Sequence, residues 1–243
     1  MQGIVIRNTG NSYVVRLEAG DEVSCKVKGN FRLKGIRTTN PVAVGDCVFV
    51  DFAEGGADTY YITKVAQRRN YIIRRASNLS KESHIIAANI DIAVLVATVS
   101  HPTTSTTFID RFLATAEAYG VTAALVFNKI DLLDEDWLEY LDAISYLYRS
   151  IGYKVLHCSA VHGDGLDVLR EYLQGKTALF AGNSGVGKTT LLNVLVPGID
   201  AKTAALSDAH DTGMHTTTFS EMYDLPGGGA IIDTPGVRGF GTI

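Results

Sequence analysis

The order of three short motifs constrains the fold of this 243-residue chain more than any other feature. Gly182-Asn183-Ser184-Gly185-Val186-Gly187-Lys188-Thr189 satisfies the pattern G-x-x-x-x-G-K-[ST] in full. That pattern works at a junction. A strand delivers the chain, glycines let backbone N–H groups converge on phosphate oxygens, and a helix opening at the lysine adds its dipole. Thr177–Ala181 reads as the strand and Lys188–Leu195 as the helix. A second motif, Asn128-Lys129-Ile130-Asp131, lies upstream of this loop, and a third, Asp233-Thr234-Pro235-Gly236, comes last. In an ordinary nucleotide-binding domain with these parts the phosphate loop leads. Here the same parts occur in rotated order, so the chain must wind a parallel sheet with its ends moved to a new place.

Each motif carries a definite chemistry. Lys188 is expected to reach the β- and γ-phosphates, with Gly182, Asn183, Ser184, Gly185, Val186, Gly187, Thr189 and Thr190 around them, and Thr189 to ligate Mg²⁺. Asp233 would support the metal through a water, and the Gly236 N–H would meet the γ-phosphate. Asp131 can accept from both N1–H and the 2-amino group of guanine, an arrangement adenine does not offer. Asn128 would tie the loop together, and the Lys129 stem would cover the purine face. Ser159-Ala160 follows a strand ending near His157 and reads, by its place alone, as the remaining guanine-side loop. The polar stretch Ser207–Thr218 sits where a switch loop belongs. Thr217 is favoured to complete the Mg²⁺ shell, with Thr216 close behind. Val237 stands where many GTPases place a water-orienting glutamine, so His215 becomes the nearest catalytic candidate, against the plainer reading of a surface histidine. The rotated set predicts a circularly permuted, Mg²⁺-dependent GTPase with Lys188 and Gly236 at the γ-phosphate and His215 left open between a catalytic group and a surface histidine.

The remaining sequence divides into a β-rich front and an alternating body. Five short β-branched or aromatic runs, at Gly3–Arg7, Ser12–Leu17, Val23–Val27, Cys47–Asp51 and Tyr60–Thr63, are separated by glycine-bearing turns. Residues 1–66 therefore predict a small all-β barrel of the OB-fold kind, with an SH3-like barrel as the alternative. Residues 67–88 read as a basic connector. From 89 to 243 strands alternate with helices, predicting an α/β P-loop domain with a doubly wound sheet. Its strands are expected at Ile90–Val99, Val121–Phe127, Lys154–His157, Thr177–Ala181, Phe219–Leu225 and Ala230–Ile232. Its helices are expected at Phe108–Tyr119, Asp134–Ser150, Leu166–Leu173 and Lys188–Leu195.

Charge is uneven. Residues 1–80 hold 12 Lys/Arg against 7 Asp/Glu, a balance of +5, while residues 81–243 balance at −9. A basic front suggests contact with a polyanion. Lys64, Arg68, Arg69, Arg74 and Arg75, interleaved with Tyr60, Tyr61 and Tyr71, favour nucleic acid, although those tyrosines also suit a strand face. Arg32, Lys34 and Arg37 occupy a loop where such a contact could form. The 3 cysteines are scattered and make neither a disulfide framework nor a zinc site. No apolar run reaches membrane-span length and no signal peptide opens the chain, so no membrane partner and a cytoplasmic setting are expected.

Together these features resemble the RsgA (YjeQ) family of circularly permuted GTPases. The resemblance rests on Pro41-Val42-Ala43-Val44-Gly45-Asp46, Ile86–Asp91, the phosphate loop, Gly213-Met214-His215-Thr216-Thr217-Thr218 and Asp233–Arg238. It implies an OB-fold that contacts 16S rRNA, GTP/GDP turnover stimulated by the 30S ribosomal subunit, a role in late subunit maturation, and a part for His215 in hydrolysis. A monomer is expected. The family also implies a following helical domain with a Cys/His zinc site. The sequence ends at Ile243, seven residues after Gly236, without the cysteines for it. Two further readings follow: a non-catalytic GTP- and RNA-binding module lacking that region, and an ATP-dependent kinase or ATPase, which Asp131 opposes.

Overall fold

The computed structural model describes residues 1–10, 12–27, 41–52, 59–75, 83–199 and 220–234. Alternation of apolar and polar residues builds the front. In β1 (Gln2–Asn8), β2 (Tyr13–Leu17), β3 (Glu22–Val27), β4 (Cys47–Phe52) and β5 (Tyr60–Val65), the inward positions are Val5, Tyr13, Val15, Cys25, Val48, Val50 and Ile62. With Val42 they make one dry core. β1, β2 and β3 form an antiparallel meander, β3 pairs parallel with β5, β5 pairs with β4, and β4 returns to β1 through Gln2↔Phe49. That closed order, 1-2-3-5-4-1, is the OB-fold arrangement and decides against an SH3-like barrel. Closure leaves every strand of the barrel with a partner on both sides.

The stretch after the barrel is more ordered than a connector. β6 (Tyr71–Arg75) and β7 (Ser83–Ala88) form an antiparallel hairpin whose Ile72, Ile85, Ala87 and Ala88 are buried. Tyr71-Ile72-Ile73 and Ile85-Ile86-Ala87-Ala88 are short apolar runs without alternation, and the adjoining Arg74, Arg75, Ser83 and His84 make the sequence read as polar.

The body follows the expected βα alternation closely. β8 (Ile92–Ala97), buried at every position, is the central strand, as parallel strands covered on both faces must be. It is followed by α1 (Thr106–Ala118), β9 (Thr122–Phe127), α2 (Glu135–Ser150), β10 (Lys154–His157), α3 (Leu166–Leu173), β11 (Thr177–Ala181), α4 (Lys188–Leu195), β12 (Glu221–Asp224) and β13 (Ala230–Asp233). Ser105 and Asp134 cap α1 and α2 by accepting from the N–H groups of Phe108 and Trp137. The strand order is β10-β9-β8-β11-β13-β12, parallel except for β12. One face packs through Leu95, Phe112, Phe127 and Tyr148, the other through Val96, Leu169, Phe180 and Leu191. The chain reverses direction across the sheet between β8 and β11, so the loops leaving β8, β9, β10 and β11 gather at one edge, where α/β sheets bind ligands.

Barrel and body are joined by backbone. β1 pairs with β12 (Arg7↔Glu221), and among the described residues the result is one continuous 11-stranded sheet. Side chains reinforce the seam. Arg7 Nε donates to Glu221 at 2.7 Å, Arg16 reaches Asp224 at 2.8 Å, and Arg69 reaches Asp91 at 2.6 Å. Inside the front, Arg68 lies against Asp46, which is fully buried. These contacts account for part of the positive balance of the front. Arg7, Arg16, Arg68 and Arg69 neutralise carboxylates of this same chain, and three of those carboxylates belong to the acidic body. Tyr60 and Tyr71 are half-buried, Tyr60 edge-on to the exposed Phe52 and Tyr71 against Tyr119 and Arg68. Lys64 lies over the exposed Phe49 ring at 5.4 Å. The loop bearing Arg32, Lys34 and Arg37 is outside the described residues.

Candidate functional site

The phosphate-loop sequence leaves β11 at Ala181 and enters α4 at Lys188. Its glycines have geometric reasons. Gly187 sits at φ +86°, and a Cβ there would lie 2.5 Å from Asn128 Nδ2. Gly182 passes so close to β8 that a Cβ would meet the Val96 carbonyl at 2.5 Å. Both positions form a cradle that only glycine leaves open.

Asn128 joins the motifs. At the end of β9 it is 3% exposed. Its Nδ2 donates to Val186 O at 2.9 Å, while its Oδ1 accepts from Ala160 N at 3.0 Å. One side chain thus ties the phosphate loop to the Ser159-Ala160 turn. Ser159, fully buried, shapes that turn by accepting from His162 N at 3.0 Å. Lys129 takes a left-handed backbone (φ 64°), which sends the chain into a 3₁₀ turn at Ile130–Leu132 carrying the half-buried Asp131. Burial and then the nearby Asp131 charge push the Cys158 thiol up to about 12, so it stays a neutral packing group.

At the other end of the site, Lys188 is 8% exposed, forms an ion pair with Asp233 at the tip of β13, and donates to Thr234 O at 2.8 Å. Thr234 Oγ1 in turn donates to Phe180 O at 2.9 Å, fastening the start of the third motif to β11. Thr189 and Thr190 stand half-buried in the first turn of α4. The phosphate loop, the Asn128-Lys129-Ile130-Asp131 corner and Asp233-Thr234, far apart in sequence, meet at the carboxyl edge of one sheet. His215, Thr217 and Gly236 lie outside the described residues. Among the described residues no cluster of three His, Cys, Asp or Glu side chains could hold a metal ion, so they contain no zinc site.

The sequence reading missed the segment after β8. It runs past Thr98 and Ser100 into His101-Pro102, and it supports both Lys129 and the phosphate loop. The Lys129 ammonium donates to His101 O at 2.7 Å, and Pro102 lies under Gly185. Its only sequence signal is that hydroxyl residues follow an apolar strand.

A phosphate loop on β11, an Asn-Lys-x-Asp corner upstream on β9, and an OB barrel ahead of both define a circularly permuted GTPase. The RsgA GTPase model matches residues 65–243, and the RsgA N-terminal domain model matches residues 2–60. The chain belongs to the RsgA family and is a GTPase. It is 59% identical over 242 residues to a Bacteroides fragilis protein named small ribosomal subunit biogenesis GTPase RsgA, matching 100% of this chain and 77% of that one. A Bacteroides thetaiotaomicron protein, small ribosomal subunit biogenesis GTPase RsgA 2, is 57% identical over the same coverage. Among solved structures, YjeQ from Thermotoga maritima superposes with a TM-score of 0.71 at 34% identity, over 97% of this chain and 74% of that one. YloQ, a circularly permuted GTPase, gives 0.66 at 29% identity, over 99% and 72%.

Proposed function

We propose that this chain hydrolyses GTP to GDP and phosphate with Mg²⁺ and acts in late maturation of the 30S ribosomal subunit, which stimulates the hydrolysis. The observation that carries the nucleotide site is Asn128, bonded at once to the phosphate loop and to the Ser159-Ala160 turn. Asp131 reads the guanine edge, Lys129 covers the purine, and the amides from Gly182 to Thr190 hold the phosphates with Lys188. Lys188 exchanges its Asp233 contact for phosphate oxygens. The donor set suits Mg²⁺, since Thr189 and Asp233 offer hard oxygens. Bound Mg²⁺ would neutralise charge on the β- and γ-phosphates. His215, Thr217 and Gly236 are proposed as the water-orienting group, the second metal hydroxyl and the γ-phosphate amide.

The working units are proposed as residues 1–66, a barrel that meets 16S rRNA, 67–88, and the GTPase at 89–243. The protein acts as a cytoplasmic monomer. Names of the relatives support the ribosomal role, and among the described residues no helix is long and apolar enough to cross a membrane.

Nucleotide preference tests the site. Asp131→Asn replaces an acceptor with a donor and should exchange GTP for xanthine nucleotide, while the parent chain prefers GTP to ATP. Equal use of ATP by the parent, or an unchanged preference in the variant, overturns the reading. Hydrolysis with and without 30S subunits tests the ribosomal part, and an unaltered rate sinks it.

A further inference from the structure

The segment leaving β8 carries three buried hydroxyl side chains that the phosphate and guanine motifs do not use. Thr98 is fully buried, Ser100 is 6% exposed and Thr104 is 4% exposed. Buried hydroxyls need partners, and these find them within the segment. Thr98 N donates to Thr104 Oγ1 at 3.1 Å, and Thr104 N donates to Thr98 O at 2.8 Å. Thr98 Oγ1 donates to Pro102 O, and Ser100 Oγ pairs with His101 Nδ1 at 2.6 Å. Ser105 closes the turn by capping α1. The result is a small rigid knuckle at the carboxyl edge of the central strand.

The knuckle presents two things to the nucleotide site. The His101 carbonyl, on a residue held at φ 55°, accepts the Lys129 ammonium at 2.7 Å. The Pro102 ring lies against the apex of the phosphate loop, where a Cβ on Gly185 would stand 3.5 Å from its Cδ. The Lys129 stem runs past Gly187, a Cβ on which would lie 3.7 Å from Lys129 Cε. A lysine over a purine face has a long, mobile stem, and immobilising such a side chain on binding costs affinity. Here its far end is tied down by a backbone acceptor that a hydroxyl web holds in place.

We propose that Thr98–Ser105 is a positioning element of the guanine site, with Thr98 and Ser100 as positioning residues that hold the His101 carbonyl where it anchors Lys129. The inference rests on the reading of Lys129 as the purine cover. On that reading the anchored stem would lie along the base and away from the γ-phosphate. The knuckle therefore supplies binding shared by substrate and product. Removing such uniform binding raises KM and leaves kcat in place.

The test uses the full chain with GTP and GDP. Thr98→Val removes the hydroxyl and keeps the shape. It should raise KM for GTP and Kd for GDP together, by about five- to tenfold, the scale of one released side chain, with kcat at saturating GTP unchanged. Thr98→Ser should restore both constants. The preference for GTP over xanthine nucleotide, set by Asp131, should not move. In the double variant Thr98→Val with Lys129→Met, affinity should match that of Lys129→Met alone, since both remove the same contact. Ser100→Ala frees the His101 ring but keeps the backbone bonds of the turn. It should raise KM in the same sense by about threefold, and it carries the test by itself if Thr98→Val does not fold. An unchanged KM in Ser100→Ala and Thr98→Val, or penalties that simply add in the double variant, overturns the proposal. If Lys129→Met leaves GDP affinity intact, the reading of Lys129 as purine cover fails instead.

Discussion

Replacing Arg68 with methionine should destabilise this protein by about 3–5 kcal/mol, the cost of leaving a buried charge without its partner. Asp46 is fully buried, and the Arg68 side chain is 9% exposed. The guanidinium grips the carboxylate with two bonds, Nε to Oδ1 at 2.7 Å and Nη2 to Oδ2 at 2.6 Å, and also donates to Pro41 O at 2.8 Å. Among the described residues the carboxylate's other donor is Ala43 N, at 2.8 Å. Methionine fills the volume of the arginine stem, so the loss is chiefly electrostatic. At this chain length about 2–4 °C of Tm accompanies each kcal/mol, which places the expected drop at roughly 6–20 °C. Asp46→Asn in the same chain removes the stranded charge and keeps an acceptor for Ala43 N–H. The double variant should therefore return to within about 1–2 kcal/mol of the parent. Denaturant unfolding of the parent, both single variants and the double variant gives the coupling energy, expected above about 2 kcal/mol. A loss below about 1 kcal/mol in Arg68→Met, or additive single effects, would refute the argument that burial gives this pair its weight.

Two further outcomes follow from the same structure. His157 is held below the ordinary histidine value by burial and then by the Arg149 charge, with Asp142 opposing, while its Nε2 pairs with Ser145 Oγ at 2.7 Å. The unfolded chain therefore takes up this proton at higher pH than the folded one, and stability should fall as pH drops through and below about 6.5. His157→Gln should flatten that slope in unfolding measured from pH 7.5 to 5.5, and an unchanged slope assigns it to other groups. Gly187→Ala combines a left-handed backbone with a Cβ placed 2.5 Å from Asn128 Nδ2. It should weaken GDP binding by about tenfold or more, measured by fluorescence titration, and an unaltered Kd would mean that the cradle is not used.

Much of the body was legible because its signals are local. The strand and helix spans Lys154–His157, Leu166–Leu173, Thr177–Ala181 and Lys188–Leu195 agree with the structure residue for residue. Continuous apolar runs, caps and glycine stops depend on neighbours a few positions away. The front was harder. Five alternating runs announce a small barrel, but only the parallel pairing of β3 with β5 and the return of β4 to β1 separate an OB-fold from its alternative. The hairpin at 71–88 was hidden by its polar flanks. The ion pairs of the arginines were not legible because a charge count does not record who stands opposite. Arg7, Arg16 and Arg69 meet Glu221, Asp224 and Asp91 across hundreds of positions or tens of them, and sequence spacing carries no trace of that.

What the sequence alone determined is the chemistry and its wiring: a guanine-reading corner ahead of a phosphate loop, each needing fixed residue types at fixed spacing, and hence a permuted GTPase. What tertiary structure decided is how those parts support one another. Asn128 reaches Val186 because β9 and β11 flank β8 in the sheet. Lys129 finds the His101 carbonyl because the loops of three parallel strands end at one edge. The barrel becomes part of the GTPase sheet because β1 meets β12. Motif chemistry is set by covalent neighbours, whereas these contacts exist only once distant strands are paired, and pairing is settled by the packing of the whole chain.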